Sequence, residues 1–140
     1  MIEYPARIIY SKADKCYLVE FPDLPGCLTY GDKIDTARAA AVEALTGYLE
    51  SIDLRKIDIP NPSPLKGRDV YAIRPERTVA FAVWLKMKRA EKGLSQKKAA
   101  ELMEINFQSY QKYENPRKAN PTLRTIEKIE RVFEEKILTI

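Results

Sequence analysis

The chain has 140 residues, 45% of them hydrophobic and 31% charged, an ordinary balance for a soluble globular protein of one domain or two small ones. No apolar run reaches the length of a membrane span, and the acid- and aromatic-bearing start MIEYPARIIYSK does not read as a signal peptide. Cys16 and Cys27, with no CxxC pair, exclude a secreted disulfide framework and a thiolate zinc or redox motif; both read as reduced core thiols of a cytosolic protein. Neither half is large enough for a big core of its own, so oligomerisation is expected. The net charge of +4 is uneven. Residues 1–67 hold 8 basic against 10 acidic side chains, whereas residues 68–140 hold 16 against 10. A basic half of this kind suits a phosphate-bearing partner, although scattered lysines on a solvated helical surface give the same balance.

In chain order, Tyr4–Ser11 alternates and is rich in aromatic and β-branched residues, which predicts a strand; Ala13–Lys15 is a turn and Cys16–Phe21 a second strand of the same hairpin. Pro22-Asp23-Leu24-Pro25-Gly26 is a rigid loop, followed by a third strand over Cys27–Tyr30. From Lys33 to Ile52 the apolar residues Ile34, Ala37, Ala41, Leu45, Leu49 and Ile52 recur every three or four positions, the stripe of a helix that covers the strands. Asp32 or Asp35 would cap it. A proline-rich stretch, IPNPSPLK, leads to a fourth strand over Asp69–Ile73, so the first domain, residues 1–74, reads β-β-β-α-β. Residues 75–140 read as all helix. Glu76–Lys92 sets Phe81 and Leu85 toward a core and Val83, Trp84 and Met87 on another side, a surplus that predicts a second contact or a broad core face.

Gly93–Glu114 is the most informative stretch. Leu94 can staple onto the preceding helix, Ser95 is a natural N-cap for Gln96–Met103, and Asn106 is one for Phe107–Glu114. Ala99, Ala100 and Met103 share one face of the first helix, small enough for close crossing, and Tyr110 and Tyr113 share one face of the second. Gln96, Asn106, Phe107, Gln108, Ser109, Gln111 and Lys112 are left on the outside as the candidate DNA-binding residues.

Arg89, Gly93, Leu94, Gln96, Ala100, Ile105, Ser109, Glu114, Asn120, Pro121 and Leu123 stand in a frame that resembles the Cro and phage-repressor helix-turn-helix. The resemblance implies that Gln96 caps its helix against a phosphate and that Phe107, Gln108 and Lys112 reach base edges. It also implies that Arg89 and Glu114 form a structural pair, and that Thr122 caps a further helix with Leu123, Ile126, Ile129 and Phe133 inward. Two positions depart from that pattern. Glu104 stands where the family often has glycine, so either the turn avoids a left-handed backbone or this residue is strained. Phe107 replaces a commonly polar reader, which would leave base reading to Gln108, Gln111 and Lys112, unless Phe107 is buried.

Phe21-Pro22-Asp23-Leu24-Pro25-Gly26-Cys27, Thr29-Tyr30-Gly31-Asp32, Ala37, Glu43-Ala44-Leu45 and the proline segment resemble the HicB antitoxins. The resemblance implies an α+β protein with a partial ribonuclease-H-like N-terminal domain that masks a HicA-type toxin, a small mRNA-cleaving ribonuclease. The helix-turn-helix domain would bind operator DNA in its own promoter, as a homodimer or larger homo-oligomer. Glu20, Asp23 and Asp32, near one sheet end, are the candidate toxin-binding acids, with solvated loop acids as the plainer alternative. No cofactor is implied. Two rival functions are weighed: a ligand-responsive repressor, for which no cofactor motif speaks, and a metal-dependent nuclease built on Glu3, Glu20, Asp23 and Glu43. The spacing of those acids forces no convergence, and the chain has no histidine.

Overall fold

The computed structural model describes residues 2–137, which divide into two compact units, Ile2–Glu76 and the described chain from Arg77 onward. The first unit begins with strand β1, Tyr4–Ser11, and strand β2, Cys16–Glu20, joined by a turn in which Lys15 is left-handed (φ 55°). Strand β3 is Leu28–Gly31 and β4 is Val70–Ile73; helix α1, Ile34–Leu54, lies between them in sequence. The four strands form one antiparallel sheet in the order β3-β2-β1-β4. Tyr4, Ala6 and Ile8 of β1, Val19 of β2 and Ile73 of β4 are buried, as is the stripe Ala37, Ala41, Leu45, Leu49 and Ile52 on α1. Ile34, expected in that stripe, is only half-buried.

Two local expectations shift. The third strand starts at Leu28, because Cys27 is still held in the loop by its N–H on the Leu24 carbonyl (3.0 Å). Gly26 takes φ 87° there, as the turn needs. Neither Asp32 nor Asp35 caps α1: the N-cap is Lys33, whose N–H donates to Thr36 Oγ1 at 2.9 Å. At Gly31 the strand meets the helix so closely that a Cβ would sit 2.4 Å from the Ala37 nitrogen. The proline segment is tied back by the Tyr4 hydroxyl donating to the Pro60 carbonyl (2.6 Å) and the Ser63 N–H donating to Asp23 Oδ2 (2.8 Å).

The second unit contains helices α2 (Arg77–Glu91), α3 (Gln96–Leu102), α4 (Phe107–Tyr113) and α5 (Leu123–Phe133). Its core gathers Phe81, Trp84 and Leu85 with Ala99, Ala100, Met103, Tyr110, Ile129 and Phe133. Trp84 therefore shares the face of Phe81 and Leu85, rather than turning away from it, as positions three and four apart on a helix do. Leu123, expected inward, is 71% exposed. The buried positions of α5 are Thr125, Ile129 and Phe133, and Leu123 stands about 200° around the helix from Thr125. Ile126 is half-buried.

Candidate nucleic-acid interface

The two short helices α3 and α4 are fixed first by their ends. Ser95 Oγ accepts the Lys98 N–H at 3.0 Å, and Asn106 Oδ1 accepts the Ser109 N–H at 2.7 Å, so each N-terminus keeps a side-chain cap. The turn between them closes α3 in a Schellman pattern. The N–H groups of Glu104 and Ile105 reach back to the carbonyls of Glu101 and Ala100, with Glu104 left-handed at φ 58°. The turn thus keeps the left-handed backbone and places a strained glutamate in it, one of the two alternatives the sequence left open. The same closure ends α2, there with Gly93 at φ 65°.

A single buried carboxylate then locks three helices. Glu114, 5% exposed at the end of α4, accepts Arg89 Nε at 2.6 Å and Nη2 at 3.1 Å from α2, Gln96 Nε2 at 3.1 Å from α3, and the Tyr110 hydroxyl at 2.5 Å. Arg89 Nη1 also donates to the Leu94 carbonyl at 2.8 Å. The hydrogen bond to Glu114 raises the Arg89 pKa, and burial, reinforced by the Glu114 charge, pushes the Tyr110 phenol far up; both stay protonated donors. One amide N–H of Gln96 is spent inside this cluster. Arg89 faces the protein interior here.

The lock presents α4 outward. Phe107 is 41% exposed, so it is not a buried residue, and Asn106, Gln108, Gln111 and Lys112 are exposed while Ser109 is half-buried. Positions 107, 108, 111 and 112 follow one helical face. The electrostatics agree with an anionic partner: the first turns of α2, α3, α4 and α5 carry no acid, whereas α1 has Asp35 in its first turn. Lys97 and Lys98 stand exposed in the first turn of α3, where a cation is locally unfavourable. Sequence reading passed over them; lysines directly after an N-cap were the signal.

In the first unit the candidate acids separate. Glu20 is exposed and pairs with Arg7 at 2.9 Å. Asp23 is half-buried and holds the proline segment through Ser63. Asp32 is exposed but does not share their end of the sheet: Glu20 pairs with Leu28 and Tyr17 with Gly31, so β3 runs its full length between Asp23 and Asp32. Among the described residues no three acids, cysteines or histidines converge as a metal site. Glu3 lies 3.5 Å from Arg74, and Glu43 is exposed on α1. No helix among the described residues is long and apolar enough to cross a membrane.

Outward polar residues on a capped second helix, tied to the first by the Gln96–Glu114 hydrogen bond and to α2 by the buried Arg89–Glu114 ion pair, define a helix-turn-helix of the Cro and phage-repressor class, and a helix-turn-helix family model matches residues 85–139. The model of the HicB-like antitoxin of bacterial toxin–antitoxin systems matches residues 4–93. The chain belongs to that antitoxin family. It is also 32% identical over 73 residues to an uncharacterised 14.9 kDa protein from the rep–hol intergenic region of Haemophilus phage HP1 (strain HP1c1), a match covering 52% of this chain and 51% of that protein.

Proposed function

We propose that the protein is an antitoxin that neutralises a HicA-type mRNA-cleaving toxin through residues 1–74 and represses its own operon through residues 75–140. The observation that carries the DNA half is the exposed row of Phe107, Gln108, Gln111 and Lys112 held rigid by the Glu114 cluster. In this reading two copies pair so that their α4 helices enter major grooves about one turn apart on a two-fold operator. Gln108, Gln111 and Lys112 bond base edges, Phe107 contacts a thymine methyl, and Ser109, Asn106 and Gln96 lie at the backbone with Lys97 and Lys98. The toxin half rests on the family, whose front domain is read as partly ribonuclease-H-like in fold and used for binding rather than catalysis. Of the three acids, Glu20 is the best placed for a basic partner, since Asp23 already holds the chain together.

The test is co-expression with the product of a small basic reading frame beside this gene. Stable co-purification, restored growth when that product is induced, and a footprint on the shared upstream DNA are the expected results. Growth arrest unrelieved by this protein would end the antitoxin reading.

A further inference from the structure

An antiparallel sheet covered by a helix on one side ordinarily shows a polar face on the other. This one does not. Register sets Ile9 beside Leu18 and Leu18 beside Tyr30, a row of large apolar side chains across β1, β2 and β3, with Leu28 one row along beside Glu20. By alternation they stand on the side away from α1, and their exposures are 48% for Ile9, 45% for Leu18 and 66% for Leu28 and for Tyr30. Ile9, Leu18 and Leu28, with Arg7 and Glu20, line an open concavity of about 400 Å³. The face ends at the edge strand β3, whose four residues include neither a charge nor a proline to guard it.

We infer that this outer sheet face is the docking surface for the toxin, with Leu18 at its centre and Tyr30 at its β3 edge; the inference rests on the antitoxin reading above. Its chemistry selects a cation-bearing protein with an apolar patch. The exposed ring of Tyr30 accepts a guanidinium or ammonium on its face, and Glu20 at the rim, one of whose oxygens holds Arg7, offers its other oxygen for a charge-assisted hydrogen bond. The unit as a whole carries 10 basic against 12 acidic side chains, which disfavours DNA here, while the second unit carries 14 against 8. Strands ~4.8 Å apart and same-face residues ~7 Å apart make the apolar patch a few hundred Å². That is less than the ~800 Å² each partner gives a standard interface, so the charged rim must take part and the apolar centre holds the decisive contacts.

The experiment titrates the full chain, as wild type, Leu18→Glu, Tyr30→Ser and Lys112→Ala, with the purified product of the adjoining small basic reading frame. Circular dichroism and binding to the upstream DNA monitor the fold. Both sheet variants should weaken toxin binding about 30-fold or more while retaining the DNA affinity of the wild type, and Lys112→Ala should do the reverse. Tyr30→Ser, exposed and on an edge strand, keeps the test intact if Leu18→Glu fails to fold. Wild type that binds the toxin with neither variant weakened overturns this face and leaves the antitoxin reading standing. Wild type that binds no such product overturns both. Variants that fall from dimer to monomer in sedimentation at unchanged toxin affinity give the face to a second copy instead and overturn the inference.

Discussion

Replacing Glu114 by Gln keeps the side chain's size and removes its charge. The carboxylate receives four donors, two from Arg89 and one each from Gln96 and Tyr110, whereas a carboxamide has one accepting oxygen and turns an N–H₂ toward some of those donors. Breaking a buried ion pair from one side costs about 3–5 kcal/mol, because the remaining charge stays desolvated and unpaired. A unit of this size has a total stability of roughly 3–9 kcal/mol, so the variant should lie close to unfolding. Trp84 is the chain's single tryptophan and is buried in the second unit's core, so its fluorescence in a urea titration reports that unit. The Glu114→Gln midpoint should fall by well over 1 M, while the double change Arg89→Leu with Glu114→Leu should recover part of the loss by removing both charges. A loss below about 1 kcal/mol, the range of an exposed ion pair, would refute the reasoning.

Four further outcomes are expected. Glu104→Gly relieves a left-handed glutamate (φ 58°) and should stabilise the second unit by about 0.5–1 kcal/mol in the same Trp84 assay. Gly31→Ala drives a Cβ to 2.4 Å from backbone at Ala37 and should cost the first unit at least about 2 kcal/mol, read from tyrosine near-ultraviolet dichroism. Burial pushes the Cys27 thiol from 9.0 up to about 11, so above pH 9 the unfolded chain releases this proton first; stability of the first unit should fall by about 1 kcal/mol between pH 9 and 10, the raised Tyr4 phenol adding its own loss above that, and Cys27→Ala should flatten the slope between pH 9 and 10. Gln108→Ala or Lys112→Ala should cost about 1–3 kcal/mol of operator binding with the Trp84 transition unchanged.

Periodicity and capping chemistry made much of the fold legible. The α1 stripe, the Ser95 and Asn106 caps and the extent of β1 all follow from local rules, because each depends on residues within one turn or on strict alternation, while the Thr122 cap was expected from the family resemblance. What stayed hidden depended on neighbours distant in sequence. Leu123 has the spacing of a core residue, yet the buried side of α5 is set by Thr125, Ile129 and Phe133. Cys27 alternates with Thr29 and Gly31 like a strand residue until the loop claims its N–H. Of the left-handed helix ends, Gly93 carries the residue that announces it and Glu104 was open to question only through the glycine the family often has there, while Lys56 and Glu134 give no local sign. In the site, the outward face of α4 was legible from spacing; the engagement of Gln96 by Glu114 was not, since it crosses from one helix to another. The apolar outer face of the sheet was likewise hidden. With Leu28 and Tyr30 on one side of β3 and Thr29 and Gly31 on the other, hydrophobicity alone names the wrong side as the core.

The central claim is that α4 of this chain reads the DNA upstream of its own gene. Fluorescence anisotropy of a labelled upstream duplex against a scrambled duplex, across a salt series, with wild type and Lys112→Ala, measures it directly. The account predicts tighter binding to the upstream duplex, weakening steeply and linearly in log salt, with Lys112→Ala about 5- to 150-fold weaker at fixed salt. Equal affinity for both duplexes at every salt concentration, or Lys112→Ala binding like the wild type, would contradict it.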